Sequence, residues 1–170
     1  AQVLRSELAV RNDLEETLRV VKEALHLEKI PRNMACFDIS HISGMHPVAS
    51  MVTFVDGKPW RNGYRHFKIR TVTGIDDYAM MHEVLKRRLI EKDNRPDLLV
   101  VDGGRGQLGI ALSVLKDLGI RDQDVVGMAK ERYEFAPRGM AKEEDRFYLP
   151  GRKDPVRLTA KPRALGIMQH

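Results

Sequence analysis

The sequence contains almost no cysteine and no long apolar run. Cys36 is the single cysteine among 170 residues, so no intramolecular disulfide can form, and a reducing compartment is the simpler environment. No stretch is long enough to span a bilayer and no signal peptide is visible, so we expect a cytoplasmic protein without a membrane partner. These features argue against a disulfide-rich secreted scaffold and against a membrane-spanning protein.

The charge is modestly basic, with 29 Lys and Arg against 24 Asp and Glu. Residues 1–30 hold 5 basic and 6 acidic residues, so the excess belongs to residues 31–170, with 24 basic and 18 acidic residues. Such an excess is typical of proteins that bind a polyanion, and it also serves solubility in many domains. The length and an apolar content of 42% fit one domain with a sizeable core.

Apolar periodicity predicts a helix followed by an antiparallel meander. The helix covers residues 2–27 and ends before Pro31. Its recurring apolar positions are Leu4, Leu8, Leu14, Leu18, Val21 and Leu25. Such a helix either packs on the domain or leads out of a preceding one. Strands are predicted at 34–40, 48–55 and 64–70, with an Asp56-Gly57 hairpin turn between the last two. We therefore expect a helical linker at 1–30 and an α/β domain at 31–170.

The second half of the sequence predicts alternating helices and strands. A helix with Asp76 as its N-cap runs to about Glu91, and an apolar strand then ends at Asp102. A helix at 107–117, a strand at 124–129 and a polar hairpin loop at 137–146 follow. This order predicts a mixed sheet, in which three antiparallel strands precede parallel strands, flanked by helices.

Two predicted strands deliver an aspartate to their ends. Asp38 closes one apolar segment, and Asp102 closes another just before Gly103 and Gly104. Ligands of open α/β sheets gather beyond the carboxyl ends of the strands. The two aspartates could therefore converge on a hard cation that prefers oxygen ligands.

Basic and polar residues near these strands could position a phosphate. Strand alternation places Lys68 and Arg70 on one face, which is either solvated surface or a surface that follows a phosphate backbone. Arg105, Gln107 and Lys130 lie beside the strand ends that carry the acids. Phosphate positioning is the functional interpretation of these three residues, and ordinary surface charge is the alternative.

The glycine-rich turn after Asp102 also resembles a phosphate-binding loop. Its glycines are Gly103, Gly104 and Gly106, and the N-terminus of the next helix could accept an anion. The spacing matches neither the dinucleotide-binding pattern nor the Walker pattern, so it argues against a nucleotide-binding enzyme.

Five sequence blocks, in order, resemble a known family. They are Cys36-Phe-Asp-Ile-Ser-His-Ile-Ser-Gly44, Pro47-Val-Ala-Ser-Met51, Tyr64-Arg65, Gly74-Ile-Asp-Asp-Tyr-Ala79 and Val101-Asp-Gly-Gly-Arg-Gly-Gln-Leu108. From about Pro31 to the last residue, the sequence resembles the C-terminal endonuclease domain of UvrC, the incision subunit of bacterial nucleotide excision repair. The resemblance implies a ribonuclease H-like fold.

The resemblance also implies site residues, a cofactor and partners. Asp38 and Asp102 would be catalytic carboxylates that bind Mg²⁺ or Mn²⁺, and Asp77 matches a third catalytic acid, although an acid pair at a helix start is usually capping. The reaction would be incision of damaged double-stranded DNA on the 5′ side of a lesion, in the bacterial cytoplasm, with UvrB as partner and UvrA acting upstream. His41 matches a family histidine, for which we expect a structural hydrogen bond near the site, where Gly103 and Gly104 also have structural roles.

The family pattern extends past the last residue of this sequence. There, a helix after the segment that resembles 166–170 carries a histidine that completes an Asp-Asp-His set, and a duplicated helix-hairpin-helix module follows. The 170 residues include neither, so we expect them to be weakly active or inactive by themselves. The alternative function is a non-catalytic DNA-binding or assembly module of a repair complex.

Overall fold

The computed structural model describes residues 1–40, 47–70, 76–131 and 144–158. Within these ranges the chain forms three α-helices and one eight-stranded sheet. The helices are α1 (Gln2–Ala24), α2 (Asp77–Leu89) and α3 (Arg105–Asp117). The strands are β1 (Asn33–Ser40), β2 (Val48–Val55), β3 (Lys58–Pro59), β4 (Arg65–Lys68), β5 (Leu98–Asp102), β6 (Asp124–Glu131), β7 (Glu144–Tyr148) and β8 (Val156–Arg157).

The sheet is mixed, as the sequence predicts. Its order is β3-β2-β1-β5-β6-β7-β8, and β4 also pairs with β2. β1 is antiparallel to β2 and parallel to β5, and β5 is parallel to β6. β7 and β8 add two antiparallel strands beyond β6. The carboxyl ends of β1, β5 and β6 therefore meet at the same end of the sheet.

The predicted turn at Asp56-Gly57 is present, but it leads into a split strand. Both residues have positive φ, 51° and 74°, and they join Val55 to Lys58 across a two-residue hairpin. β1 occupies one edge of β2 along its whole length, so β3 and β4 share the other edge. The predicted third strand, 64–70, is thus the four-residue β4, separated from β3 by a 3₁₀ turn at 61–63.

Two apolar clusters cover the two faces of the sheet. The first, which we call the α2–α3 core, includes Phe37, Leu99 and Val101 from the strands together with the buried sides of α2 and α3. The second, the α1 core, includes Leu98, Val100 and Phe147 with the last turns of α1. Each strand of the sheet centre is therefore buried on both faces, which explains the unbroken apolar run that ends at Asp102.

Only part of the predicted apolar side of α1 is buried. Leu18, Val21 and Leu25 are fully buried, whereas Leu4 and Leu8 are exposed, at 64% and 51%. The second half of α1 therefore packs on the domain, whereas its first half leads away from it. The periodicity is present there, but the folded body of the chain covers α1 only toward its carboxyl end. No helix in the described ranges is both long and apolar enough to cross a membrane.

The strand β7 corrects the predicted loop at 137–146. Glu144 to Arg146 belong to β7, where Asp145 and Arg146 pair with residues of β6. These polar residues carry no apolar alternation, so the ladder with β6 decides their conformation. Residues 137–143 lie outside the described ranges.

Candidate active site

Asp38 and Asp102 end neighbouring parallel strands. β1 and β5 pair in register up to Phe37 and Val101, and the same register, carried one residue further, places Asp38 beside Asp102. Adjacent strands lie about 4.8 Å apart. Both aspartates are exposed, although the residues just before them are buried. The two acids thus occupy neighbouring strand ends, where the sequence predicted them to converge.

The two carboxylates lie on the α1-core face of the sheet. Because strand side chains alternate, Asp38 shares its face with Cys36, which packs against that core. Burial, and then the charge of Asp102, raise the pKa of the Cys36 thiol to about 12. The thiol therefore stays protonated at neutral pH, and the ligands that the pair presents are carboxylate oxygens.

This set of donor atoms fits a hard divalent cation. Mg²⁺ and Mn²⁺ prefer oxygen ligands, and Mg²⁺ is often held by one or two carboxylates together with water and substrate phosphates. In the part of the chain that the structure describes, no three His, Cys, Asp or Glu side chains gather into a metal cluster. Asp38 and Asp102 would therefore hold such an ion together with water and a phosphate.

The turn after Asp102 depends on glycine at one position. Gly103 has φ +146°, and a Cβ added to it would lie 2.4 Å from Cγ of Gln107. Its N–H donates to the carbonyl of Met128 at 2.8 Å, which ties the turn to β6. Gly104 then precedes the first residue of α3. This tight turn directs the N-terminus of α3 close to the carboxylates.

The residues predicted to position phosphate begin at this turn. Arg105 is the exposed first residue of α3, and α3 therefore starts two residues before the predicted Gln107. Gln107 is half-buried and packs over Gly103. Met128 on β6 is the strand partner of Asp102, and Lys130 lies two residues beyond Met128 on the same strand. The side chain of Lys130 lies outside the described set. Phosphate contacts by these residues remain predictions.

Lys68 and Arg70 are exposed at the carboxyl end of β4, as the alternation predicts. The backbone around them is fixed by α2: Arg87 Nη1 donates to the Lys68 carbonyl at 3.0 Å, and the Arg70 N–H donates to the carboxylate of Glu83 at 3.0 Å. The guanidinium of Arg87 also lies 5.2 Å from the ring centre of Phe67. Two cations are therefore presented on a rigid backbone.

The first turn of α2 contains the acid pair. Asp76 caps the helix, because its carboxylate accepts a hydrogen bond from the Ala79 N–H at 2.9 Å, which confirms the predicted N-cap. Asp77 is half-buried, and the next residue, Tyr78, donates its hydroxyl to Asp117 at the end of α3. Asp77 belongs to no three-residue metal cluster within the described ranges, and its catalytic role remains a prediction.

One polar pair beside the carboxylates was missed by the sequence analysis. Ser50 is the β2 partner of Asp38, and the Ser50 hydroxyl lies 3.3 Å from Nδ1 of His66 on β4. Only the strand register reveals this neighbourhood, since 12 residues separate Asp38 from Ser50 and 16 more separate Ser50 from His66. His41 lies outside the described residues.

Comparison with known proteins identifies the family. The family model of the UvrC RNAse H endonuclease domain matches residues 22–170. The chain belongs to this family. UvrABC system protein C of Syntrophus aciditrophicus is 54% identical over 93% of the chain and 26% of that protein. UvrABC system protein C of Geobacter metallireducens is 50% identical over 90% of the chain and 26% of that protein.

Membership of the UvrC domain family confirms the predicted ribonuclease H-like fold, and the mixed sheet flanked by helices agrees with it. The chain spans about a quarter of the length of the curated relatives that it matches. The division of the chain at residue 30 remains a prediction. The family match begins within α1, and Val21 of α1 and Leu25, which directly follows the helix, belong to the α1 core.

Proposed function

We propose that the chain is a divalent-metal-dependent DNA endonuclease domain, which makes the 5′ incision beside a lesion in bacterial nucleotide excision repair. The observation that carries the proposal is the pair of exposed carboxylates, Asp38 and Asp102, at the ends of adjacent parallel strands. Its membership of the UvrC endonuclease domain family supports a nuclease role.

The residues around the pair have complementary tasks in this proposal. Bound Mg²⁺ or Mn²⁺ would polarise the phosphate and lower the pKa of a water molecule. Asp38 and Asp102 would supply the negative charge that holds the ion, and Asp77 would act as a third acid. Arg105 and the N-terminus of α3 would favour the phosphate electrostatically, while Gln107 and Lys130 would help to orient it.

The partners follow from the same family. Curated relatives of the chain carry the name UvrABC system protein C, which supports damaged double-stranded DNA as the substrate and UvrB as the partner, with UvrA upstream. Lys68 and Arg70 would hold the DNA backbone through phosphates without reading its sequence. The bacterial cytoplasm is the expected compartment.

Nicking of a lesion-bearing duplex tests the proposal. Because the 170 residues are expected to be weakly active by themselves, they replace the matching part of a complete UvrABC system protein C. The assay is run with UvrB present and Mn²⁺ varied, on this wild type and on its Asp38→Asn and Asp102→Asn variants. Because asparagine removes the charge but keeps the shape, we expect incision to fall by at least about 100-fold while DNA affinity changes little. Asp93→Asn, at an exposed acid before β5, is the matched control and should cut normally.

The same assay separates this proposal from the alternative function. A non-catalytic DNA-binding module would bind the duplex equally well in all variants and would show no Mn²⁺-dependent nicking. Incision that survives in Asp102→Asn would instead place the chemistry elsewhere in the chain.

A further inference from the structure

The strand registers place four polar residues in one row across the sheet. His66 on β4 pairs with Ser50 on β2, and Ser50 pairs with Asp38 on β1. The β1–β5 register, carried one residue past Phe37 and Val101, places Asp38 beside Asp102. Residues paired across neighbouring strands point to the same face. All four side chains therefore lie on the α1-core face of the sheet. They lie near the carboxyl ends of β1 and β5, where the aspartates are exposed.

Ser50 restrains the imidazole of His66. The hydroxyl oxygen lies 3.3 Å from Nδ1. We assign the hydroxyl as the donor in this contact, so that Nδ1 accepts and the neutral tautomer carries its proton on Nε2. His66 is exposed, so Nε2 is accessible as a hydrogen-bond donor on the carboxylate face.

The surroundings of His66 favour an anionic ligand. The sequence between Asp56 and Asp76 contains five Lys and Arg residues and no acidic residue. The adjacent Arg65 directs its guanidinium to the carbonyls of Asn62 and Tyr64, at 2.8 and 2.9 Å. The Arg65 guanidinium is therefore engaged by carbonyls of its own loop. His66, by contrast, belongs to the row that contains Asp38 and can donate a hydrogen bond there.

We propose that His66, oriented by Ser50, is a substrate-binding residue that donates from Nε2 to a phosphate oxygen of the DNA strand being cut. Two strand spacings, about 10 Å, separate His66 from Asp38. The contacted phosphate is therefore a neighbour of the scissile one. This inference rests on the proposed function, and it assigns to that site a phosphate contact supplied by the β2–β4 pair.

Phosphate neutralisation tests the contact. Binding of the chain to a lesion-bearing duplex is measured in Ca²⁺, with each phosphate near the cut replaced in turn by an uncharged methylphosphonate. We expect one position at which the replacement weakens wild-type binding about three- to tenfold and leaves His66→Ala unaffected. Ser50→Ala should show an intermediate loss, and the control His82→Ala, on α2 across the sheet, should match the wild type. Equal profiles for wild type and His66→Ala would overturn the inference.

Side-chain NMR covers the case in which binding is weak. The ¹⁵N spectrum of the free protein should show His66 as the Nε2–H tautomer, and Ser50→Ala should reduce that preference. Titration with the duplex should shift the His66 signal and leave His82 in place. If the duplex shifts the Lys68 and Arg70 signals but not the His66 signal, the inference about His66 is refuted, while the proposed function stands. A spectrum in which no residue responds would refute DNA binding and, with it, the proposed function.

Discussion

The Cys36 thiol lies on the same sheet face as the Asp102 carboxylate, one strand away and two residues closer to the core. Burial is the larger cause, and the charge of Asp102 the smaller, of a thiol pKa that rises from 9.0 to about 12. The candidate metal site therefore directly adjoins the apolar interior, and the charge of Asp102 raises the pKa of the Cys36 thiol there.

This relationship predicts a stability effect at alkaline pH. The thiol pKa is raised by folding, so the unfolded chain loses its proton first. The contribution of Cys36 is complete below pH 9 and is lost as the pH rises toward 12. The difference in free energy of unfolding between wild type and Cys36→Ala should therefore shrink above pH 9, by roughly 2 kcal/mol at a pH of about 10.5. Urea titrations at several pH values measure it, and a constant difference would contradict the raised pKa.

Metal binding should stabilise the folded chain through the aspartate pair. An ion that binds only the native state raises its stability by RT ln(1 + [L]/Kd), which is about 2.7 kcal/mol at one hundred times Kd. We expect Mn²⁺ to raise the melting temperature of the wild type and to have little effect on Asp102→Asn. Asp77→Asn should keep the Mn²⁺ response, since Asp77 begins α2 and does not belong to the strand ends that carry the aspartate pair. Calorimetry with and without Mn²⁺ measures these shifts, and an equal response in Asp102→Asn would exclude this pair as the site.

Gly103 should be intolerant of any side chain. Gly103→Ala adds a Cβ 2.4 Å from Gln107 Cγ at φ +146°, so we expect a loss of about 1 to 3 kcal/mol in the free energy of unfolding. Gly109→Ala is the matched control, because Gly109 lies in α3 with open space around its missing Cβ. That substitution should stabilise the protein by about 0.5 to 1 kcal/mol. Denaturant unfolding measures the free energy of unfolding of both variants. Similar values for the two would show that the turn is not constrained.

The two cations at the end of β4 should determine part of the salt dependence of DNA binding. If Lys68 and Arg70 each contact a phosphate, the double alanine variant should reduce the slope of log affinity against log salt by roughly one or two. Lys58, on the two-residue β3 at the other end of the same edge, provides the control variant Lys58→Ala. An unchanged slope in the double variant would mean that these side chains are solvated surface.

The two halves of α1 should respond differently to the same truncation. Leu18 is fully buried in the core, and Leu18→Ala should cost about 2 to 5 kcal/mol. Leu8 is half exposed on the same predicted stripe, and Leu8→Ala should stay within about 0.5 kcal/mol. Unfolding curves compare the two, and a large loss from Leu8→Ala would show that the first half of α1 is covered in solution.

Local patterns predicted much of this fold. The unbroken apolar run before Asp102 is a strand buried on both faces. The predicted alternation continues past the end of β4, where Ile69 is buried between exposed Lys68 and Arg70. The cap at Asp76 also depends on neighbours only three residues away. Such features follow from residues that are close in sequence, and they need no knowledge of the tertiary structure.

Features that depend on distant pairing were not predicted. The sequence placed Asp38 and Asp102 at strand ends, but only the register with β2 and β4 places Ser50 and His66 in the same row. Asp145 is buried and belongs to β7, where its backbone pairs with β6, although its polar neighbours do not indicate a strand. For α1, periodicity indicated an apolar stripe but could not indicate where its covering surface ends.

The division of the outer strand into β3 and β4 has a consequence for the behaviour of the protein at high concentration. A long, regular edge would offer a row of unpaired peptide groups to a neighbouring molecule. Here Pro59 removes one donor, the 3₁₀ turn interrupts the row, and Arg65 and Lys68 place positive charge along the remainder. At the opposite edge, β8 is only two residues long. Within the residues that the structure describes, both edges of the sheet therefore offer a neighbouring molecule few peptide groups for strand addition.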